Sequence, residues 1–144
     1  VGRLYVQAGG MSVVGVGVCL PGGWLVSAVL VVNNLRDADE DRHSNKQTLV
    51  AIWGQEAVVR LFGLLVVTAF ALLPVLALSG VLPWFGVLPF LAILPQPWTL
   101  LKQVRPGAER SVLHQALRRT AQLHMRFGLL LACAALLPIL PRPF

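Results

Sequence analysis

The sequence predicts an all-α integral membrane bundle of about four transmembrane helices, and three observations carry that prediction. First, 56% of the 144 residues are hydrophobic and only 12% are charged, with a mean hydropathy of +0.73. Soluble domains carry roughly 25% charged residues. Second, apolar runs of about 20 residues, the length a helix needs to cross a bilayer core of about 30 Å, recur along the chain. Third, the basic residues gather in alternate connections. These features describe a single transmembrane domain over residues 1–144.

The first span runs from about Met11 to Asn34, and Pro21-Gly22-Gly23 should bend or loosen it in mid-membrane. The second runs from about Glu56 to Ser79, where Gly80 ends it. The third runs from about Leu82 to Leu101 and is expected to kink at Pro83, Pro89, Pro95 and Pro97. The fourth runs from about Glu109 to Leu137, closed by Pro138, Pro141 and Pro143. Its start is polar on one side, with Arg110, His114 and Arg118 at helical spacing. It reads as a basic lead-in that touches anionic lipid, or as a contact to a phosphate-bearing ligand.

Arg36, Arg42, Lys46 and Arg60 follow the first span, and Lys102, Arg105, Arg110, Arg118, Arg119 and Arg126 follow the third. Only Arg3 and Arg142 lie elsewhere. Four spans put both basic connections on one face, which the positive-inside rule makes cytoplasmic. The expected location is the plasma membrane, multi-pass. Trp53 and Trp98 fall near the inner boundary and Trp84 near the outer one. The net charge of +6 is thereby accounted for without a nucleic-acid partner. Cys19 and Cys133 lie inside apolar runs, have no metal-ligand spacing, and read as small buried hydrophobes. No signal peptide is recognisable. The start at Val1 reads as the continuation of a longer chain.

The acidic residues carry the functional information. Four of the six (Asp37, Asp39, Glu40 and Asp41) sit within five positions at the end of the first apolar run. A carboxylate at mid-membrane costs about 2.5–3.5 kcal/mol on insertion scales, so such a cluster calls for a compensating cation. On a helix, Asn33, Asp37 and Asp41 recur at i, i+4 and i+8 and share one face. Oxygen ligands of this kind suit magnesium, which is usually held by one or two carboxylates plus substrate phosphates. Arg42 and Lys46 follow at once, so the motif at 33–49 describes a diphosphate pocket. Asp39 and Glu40 point to other faces and read as solvated, balancing Arg36 and Arg42. His43 reads as a solvated loop residue. His114 and His124 share no helical face and imply no metal pair.

A metal-diphosphate site at a lipid boundary points to a prenyl diphosphate, whose tail lies between helices while its head meets the metal. The run Asn33-Asn34-Leu35-Arg36-Asp37-Ala38-Asp39-Glu40-Asp41-Arg42, followed by Asn45-Lys46-Gln47-Thr48-Leu49, resembles the second aspartate-rich motif of UbiA-type prenyltransferases. More narrowly it is similar to the branch that prenylates 1,4-dihydroxy-2-naphthoate in menaquinone biosynthesis. Gly2-x-x-Tyr5-x-Gln7 and Leu117-x-x-Thr120-Ala121-x-Leu123 extend the resemblance along the chain.

The resemblance implies that the chain is the C-terminal half of a larger UbiA-like helical fold. Its partner is the missing N-terminal half, with a first aspartate motif this sequence lacks. It implies magnesium-linked Asp37 and Asp41 as catalytic ligands, Asn33 supporting them or the diphosphate, and Lys46 and Arg42 on the diphosphate. The implied reaction is polyprenyl transfer from prenyl diphosphate to dihydroxynaphthoate, giving demethylmenaquinone. Another aromatic acceptor, such as hydroxybenzoate or homogentisate, stays open, as does a truncated remnant or small membrane protein without turnover. A soluble-phosphate transporter is a further alternative, but such sites tend to lie at the midplane. The sequence departs from the family pattern at Ile52, where relatives commonly have Arg, and at Asn45, where they commonly have Gly.

Overall fold

The computed structural model describes residues 13–80 and 88–136. It is all-helical among those residues. The elements in order are α1 (Val13–His43), α2 (Leu49–Leu78), a single turn α3 (Leu88–Leu91), α4 (Pro95–Gln103) and α5 (Arg110–Leu136). α1 packs against both α2 and α5, and α4 lies against α5.

α1 runs past its expected end at Asn34 and includes the whole acidic cluster. Backbone hydrogen bonding does not stop where the apolar residues stop. The helix is also continuous through Pro21, where the sequence suggests a bend or loosening. Pro21 is buried, and Leu25, Ala28, Val31, Val32 and Leu35 continue the stripe it begins. Packing on α2 and α5 holds the turn in which proline removes one hydrogen bond. Close approach helps: a Cβ on Gly17 would lie 3.3 Å from Leu76 Cδ2.

α2 begins at Leu49 rather than near Glu56. Its opening turn is offset from the rest by Gly54, at φ 79° and ψ 159°. That conformation is essentially confined to glycine. Beyond the break, Val58, Phe62, Val66, Ala69, Leu73 and Leu76 recur at three- and four-residue intervals and are buried. α2 is the helix, among the described residues, that is long and apolar enough to cross a membrane. α5 has the length, but Arg118, Arg119 and Arg126 interrupt its apolar run.

The expected third span is not one helix. Residues 92–94 form a turn between α3 and α4, and both helices are short. Pro95 opens α4 at its first turn, where a missing N–H costs nothing. The segment after Pro95 is helical as far as Gln103. The link from α4 to α5 turns at Arg105-Pro106-Gly107-Ala108, where the Ala108 N–H donates to the Arg105 carbonyl at 3.1 Å and Gly107 has φ 71°. Proline second and a left-handed glycine third is the type II pattern. The Gly107 N–H also donates to Gln55 Oε1 at 3.1 Å, tying this turn to α2 beside the Gly54 break.

The core is a seam along α1, α2 and α5. Phe127 is fully buried and meets Phe70 and Phe90 edge-to-face at 5.3 and 5.0 Å. Thr120, also buried, donates its hydroxyl to the Ala116 carbonyl at 2.8 Å. The cysteines do not match the expected burial: Cys19 is half-buried, Cys133 is exposed, and both are free thiols. Tyr5, Gln7, Trp84 and the closing prolines 138, 141 and 143 lie outside the described residues.

Two substitutions test this packing in detergent unfolding. Phe127→Ala should cost about 3–5 kcal/mol, and Leu129→Ala on the exposed flank should cost far less. Gly54→Ala should cost about 1–3 kcal/mol through backbone strain alone, because nothing lies within 4 Å of a Cβ placed there.

Candidate functional site

The acidic turn is held by how α1 ends. The Lys46 N–H donates to the Asp41 carbonyl at 3.0 Å and the Asn45 N–H to the Arg42 carbonyl at 3.3 Å. These two bonds make a Schellman cap, whose left-handed position is usually glycine and sometimes asparagine. Asn45 occupies it at φ 54°. The departure from Gly noted in the sequence is therefore conservative, because the backbone asks for a residue that tolerates positive φ. The cap turns the chain so that the Lys46 ammonium returns to within 3.4 Å of Asp41 Oδ1.

Asp37 and Asp41 sit one turn apart on α1 and line one open cleft of about 540 Å³. Glu40, His43, Ser44 and Lys46 line it too, with Arg36 and, from α5, Arg110. Asp37 is gripped on both oxygens by its neighbour: Arg36 Nε donates to Oδ1 at 2.7 Å and a terminal nitrogen to Oδ2 at 2.8 Å. Adjacent residues diverge around a helix, so the arginine must fold back along it to make this fork. The fork lowers the Asp37 pKa from its ordinary value, against a smaller upward push from burial, with Arg110 and Lys46 adding to the depression. It raises that of Arg36 in turn.

Arg110 is the first residue of α5, and its guanidinium lies 2.6 Å from Glu40 Oε1. That contact raises the Arg110 pKa and joins α5 to α1 across the cleft mouth. Glu40 is therefore not merely solvated, as its position on the helical wheel suggests. His43 closes the last turn of α1 rather than standing in a loop, and it is exposed.

The remaining predicted residues stand further off. Asn33 is half-buried one turn before Asp37, and Arg42 is exposed; neither is among the residues lining the cleft. Ile52 is 63% exposed. Arg36 and Arg110 are the residues that inspection of the motif passes over. Arg36 is hidden as an i, i+1 neighbour, and Arg110 is remote in sequence. The only signal for Arg110 is its place in a basic stripe at the start of α5.

The donor set fits a hard cation in part. Asp37 and Asp41 offer oxygen ligands on one wall, and an ionised carboxylate engaged by one cation keeps lone pairs for another. Among the described residues no group of three or more acidic, histidine or cysteine side chains is placed to hold a metal ion by itself. A metal here needs further oxygens from a phosphate ligand or water, which is how magnesium is commonly held.

Two measurements probe the turn. Asn45→Gly should leave detergent stability unchanged or slightly raised, while Asn45→Val should lower it by about 1–2 kcal/mol. A carboxyl held below its ordinary value lends stability that is complete above the unfolded pKa, near 3.9, and is lost as pH falls through the folded value. The gap in melting temperature between wild type and Asp37→Asn should therefore hold steady from about pH 7 to 5 and close below about pH 4.

No curated protein and no solved structure matches the chain. The model of the UbiA prenyltransferase family matches residues 1–121, which take in the acidic turn, its cap, all of α2 to α4 and the α5 arginine that closes the cleft. On that match the chain belongs to the UbiA prenyltransferase family.

Proposed function

We propose that the chain carries one half of the active site of a magnesium-dependent prenyltransferase. The reaction is transfer of a polyprenyl group from prenyl diphosphate to 1,4-dihydroxy-2-naphthoate, giving the prenylated hydroquinone (the reduced form of demethylmenaquinone), carbon dioxide and diphosphate. The observation that supports it most is the cleft at the end of α1, where two carboxylates one turn apart face Arg36, Lys46 and Arg110. Alternating acids and bases in one open site suit a ligand that is both metal-bound and polyanionic.

The apolar helix α2 gives the prenyl tail a lipid-like path. The protein is taken as multi-pass in the plasma membrane with the acidic turn in the cytoplasm, because the basic residues flank that turn. The upstream half, with its own aspartate motif, is the partner that completes the metal's ligands.

Asp37 and Asp41 are the metal ligands in this reading, and Asn33 supports Asp37 from the preceding turn. Arg36 fixes the orientation of Asp37. Lys46 and Arg110 are exposed, and their ion pairs with Asp41 and Glu40 are of a class worth about 0–1 kcal/mol. They can leave those partners for phosphate oxygens at little cost, and Arg42 can join them from the rim. Bound magnesium supplies charge neutralisation on the departing diphosphate. The allylic C–O bond breaks with its electron pair going to the diphosphate. The acceptor ring attacks the carbon cation at the carbon that bears the carboxylate, which leaves as carbon dioxide while its bonding pair returns to the ring and restores aromaticity.

In membranes that also hold the upstream half, Asp37→Asn or Asp41→Asn should lower magnesium-dependent prenyl transfer by about 10²-fold or more. Undiminished turnover in either variant removes the metal assignment. Labelled prenyl diphosphate offered with dihydroxynaphthoate, hydroxybenzoate and homogentisate in turn identifies the acceptor, and product from dihydroxynaphthoate alone is expected.

A further inference from the structure

The other flank of α5 borders a second polar cavity, of about 250 Å³. Arg119, Gln122 and Arg126 of α5 face Gln96 and Thr99 of α4 across a floor of buried Leu100. The three α5 residues are spaced by three and four and form one stripe. Arg110 and His114 line the opposite flank, and the buried seam through Leu113, Thr120 and Phe127 separates the two. The cavity is therefore not part of the acidic cleft.

Its charge has no match among the described residues. Four of the six carboxylates belong to the acidic turn. Glu56 pairs with Arg60 at 3.4 Å, and Glu109 accepts from the Ser111 hydroxyl at 3.2 Å. None lines this cavity. Two guanidiniums on one stripe repel unless an anion lies between them, and Gln96 and Gln122 add neutral amide donors. Guanidinium forks match phosphate oxygens two at a time.

The setting of the site narrows the anion. The Arg126 side chain leans back toward the start of α5, toward Arg119, the end at which the basic residues gather and where lipid headgroups lie in the membrane reading. The same two helices carry exposed apolar residues: Trp98 on α4 is 65% exposed and Leu129 on α5 67%.

We propose that this cavity binds the phosphate of an anionic phospholipid, with the acyl chains lying over the exposed apolar residues of α4 and α5. The proposal rests on the membrane reading above but not on the diphosphate chemistry, so the two fail separately.

The test uses the purified full chain in nanodiscs and in detergent. Native mass spectrometry counts retained phosphatidylglycerol against phosphatidylcholine, and melting temperature is followed with either lipid, with inorganic phosphate and with diphosphate. Wild type should retain phosphatidylglycerol preferentially. Each of Arg119→Gln and Arg126→Gln should weaken that retention about fivefold, and the pair about 25-fold. Arg60→Gln should leave it unchanged. Gln122→Glu, which places a carboxylate in the cavity without removing an arginine, should also abolish the preference if the site is as described. No preference in wild type, or full preference in the double variant, overturns the proposal. Equal stabilisation by inorganic phosphate, lost in the double variant, overturns the lipid source and leaves a site for a free anion.

Discussion

Carboxylates at the end of an apolar helix must be matched by cations, and the architecture around Asp37 and Asp41 follows from that need. The match is graded. Arg36 grips Asp37 through two short bonds in a partly buried setting. Lys46 reaches Asp41 at a looser 3.4 Å with two thirds of its side chain in solvent. Arg110 reaches Glu40 from another helix. The tight pair sets the position of one acid. The loose pairs hold cations at hand without committing them, since exposed pairs of this kind contribute at most about 1 kcal/mol.

The backbone serves the same end. A Schellman cap is a local device for ending a helix, yet here it also returns a lysine toward the helix it has just closed. The positive φ at Asn45 is the geometric condition for that return. The Arg105–Ala108 turn, hydrogen-bonded through Gly107 to Gln55, sets where α5 begins. Arg110 follows shortly after, so a loop bond to α2 helps decide which residue of α5 meets Glu40.

Much of this was legible in the residues. Asp37 and Asp41 share a face by spacing alone and line one cleft, whereas Asn33, on that face by the same spacing, is not among its lining residues; the family match spans the acidic run. The start of α5 was legible because glutamate and arginine mark the entry to a long apolar pattern. Other features were not. Hydropathy ends α1 at Asn34, whereas hydrogen bonding carries it to His43. Hydropathy also starts α2 near Glu56, whereas hydrogen bonding begins it at Leu49, with the opening turn set off by Gly54. Prolines signalled trouble in the third segment, but a sequence pattern does not say that Pro95 starts a helix instead of ending one. Arg36 and Arg110 were missed for opposite reasons: one is too near Asp37 to be expected beside it, the other too far along the chain.

The two flanks of α5 show how one helix can serve two sets of charges. A seam of small and apolar residues, with Ala116, Thr120, Leu123 and Phe127 fully buried, gives it one packed side. To either side of that seam a helix presents separate stripes that cannot reach one another. Arg110 lies on the stripe next to α1, where carboxylates are abundant, and it is paired within the chain. Arg119 and Arg126 lie on the stripe next to α4, which carries no acidic residue. The same side-chain type therefore meets opposite electrostatic conditions about two and a half turns along the helix at Arg119 and more than four at Arg126. Where the chain supplies the counter-charge, the arginine closes a cleft. Where it supplies none, balance falls to an anion from the surroundings, and the phosphate of the proposed lipid is one that the two guanidiniums can fork.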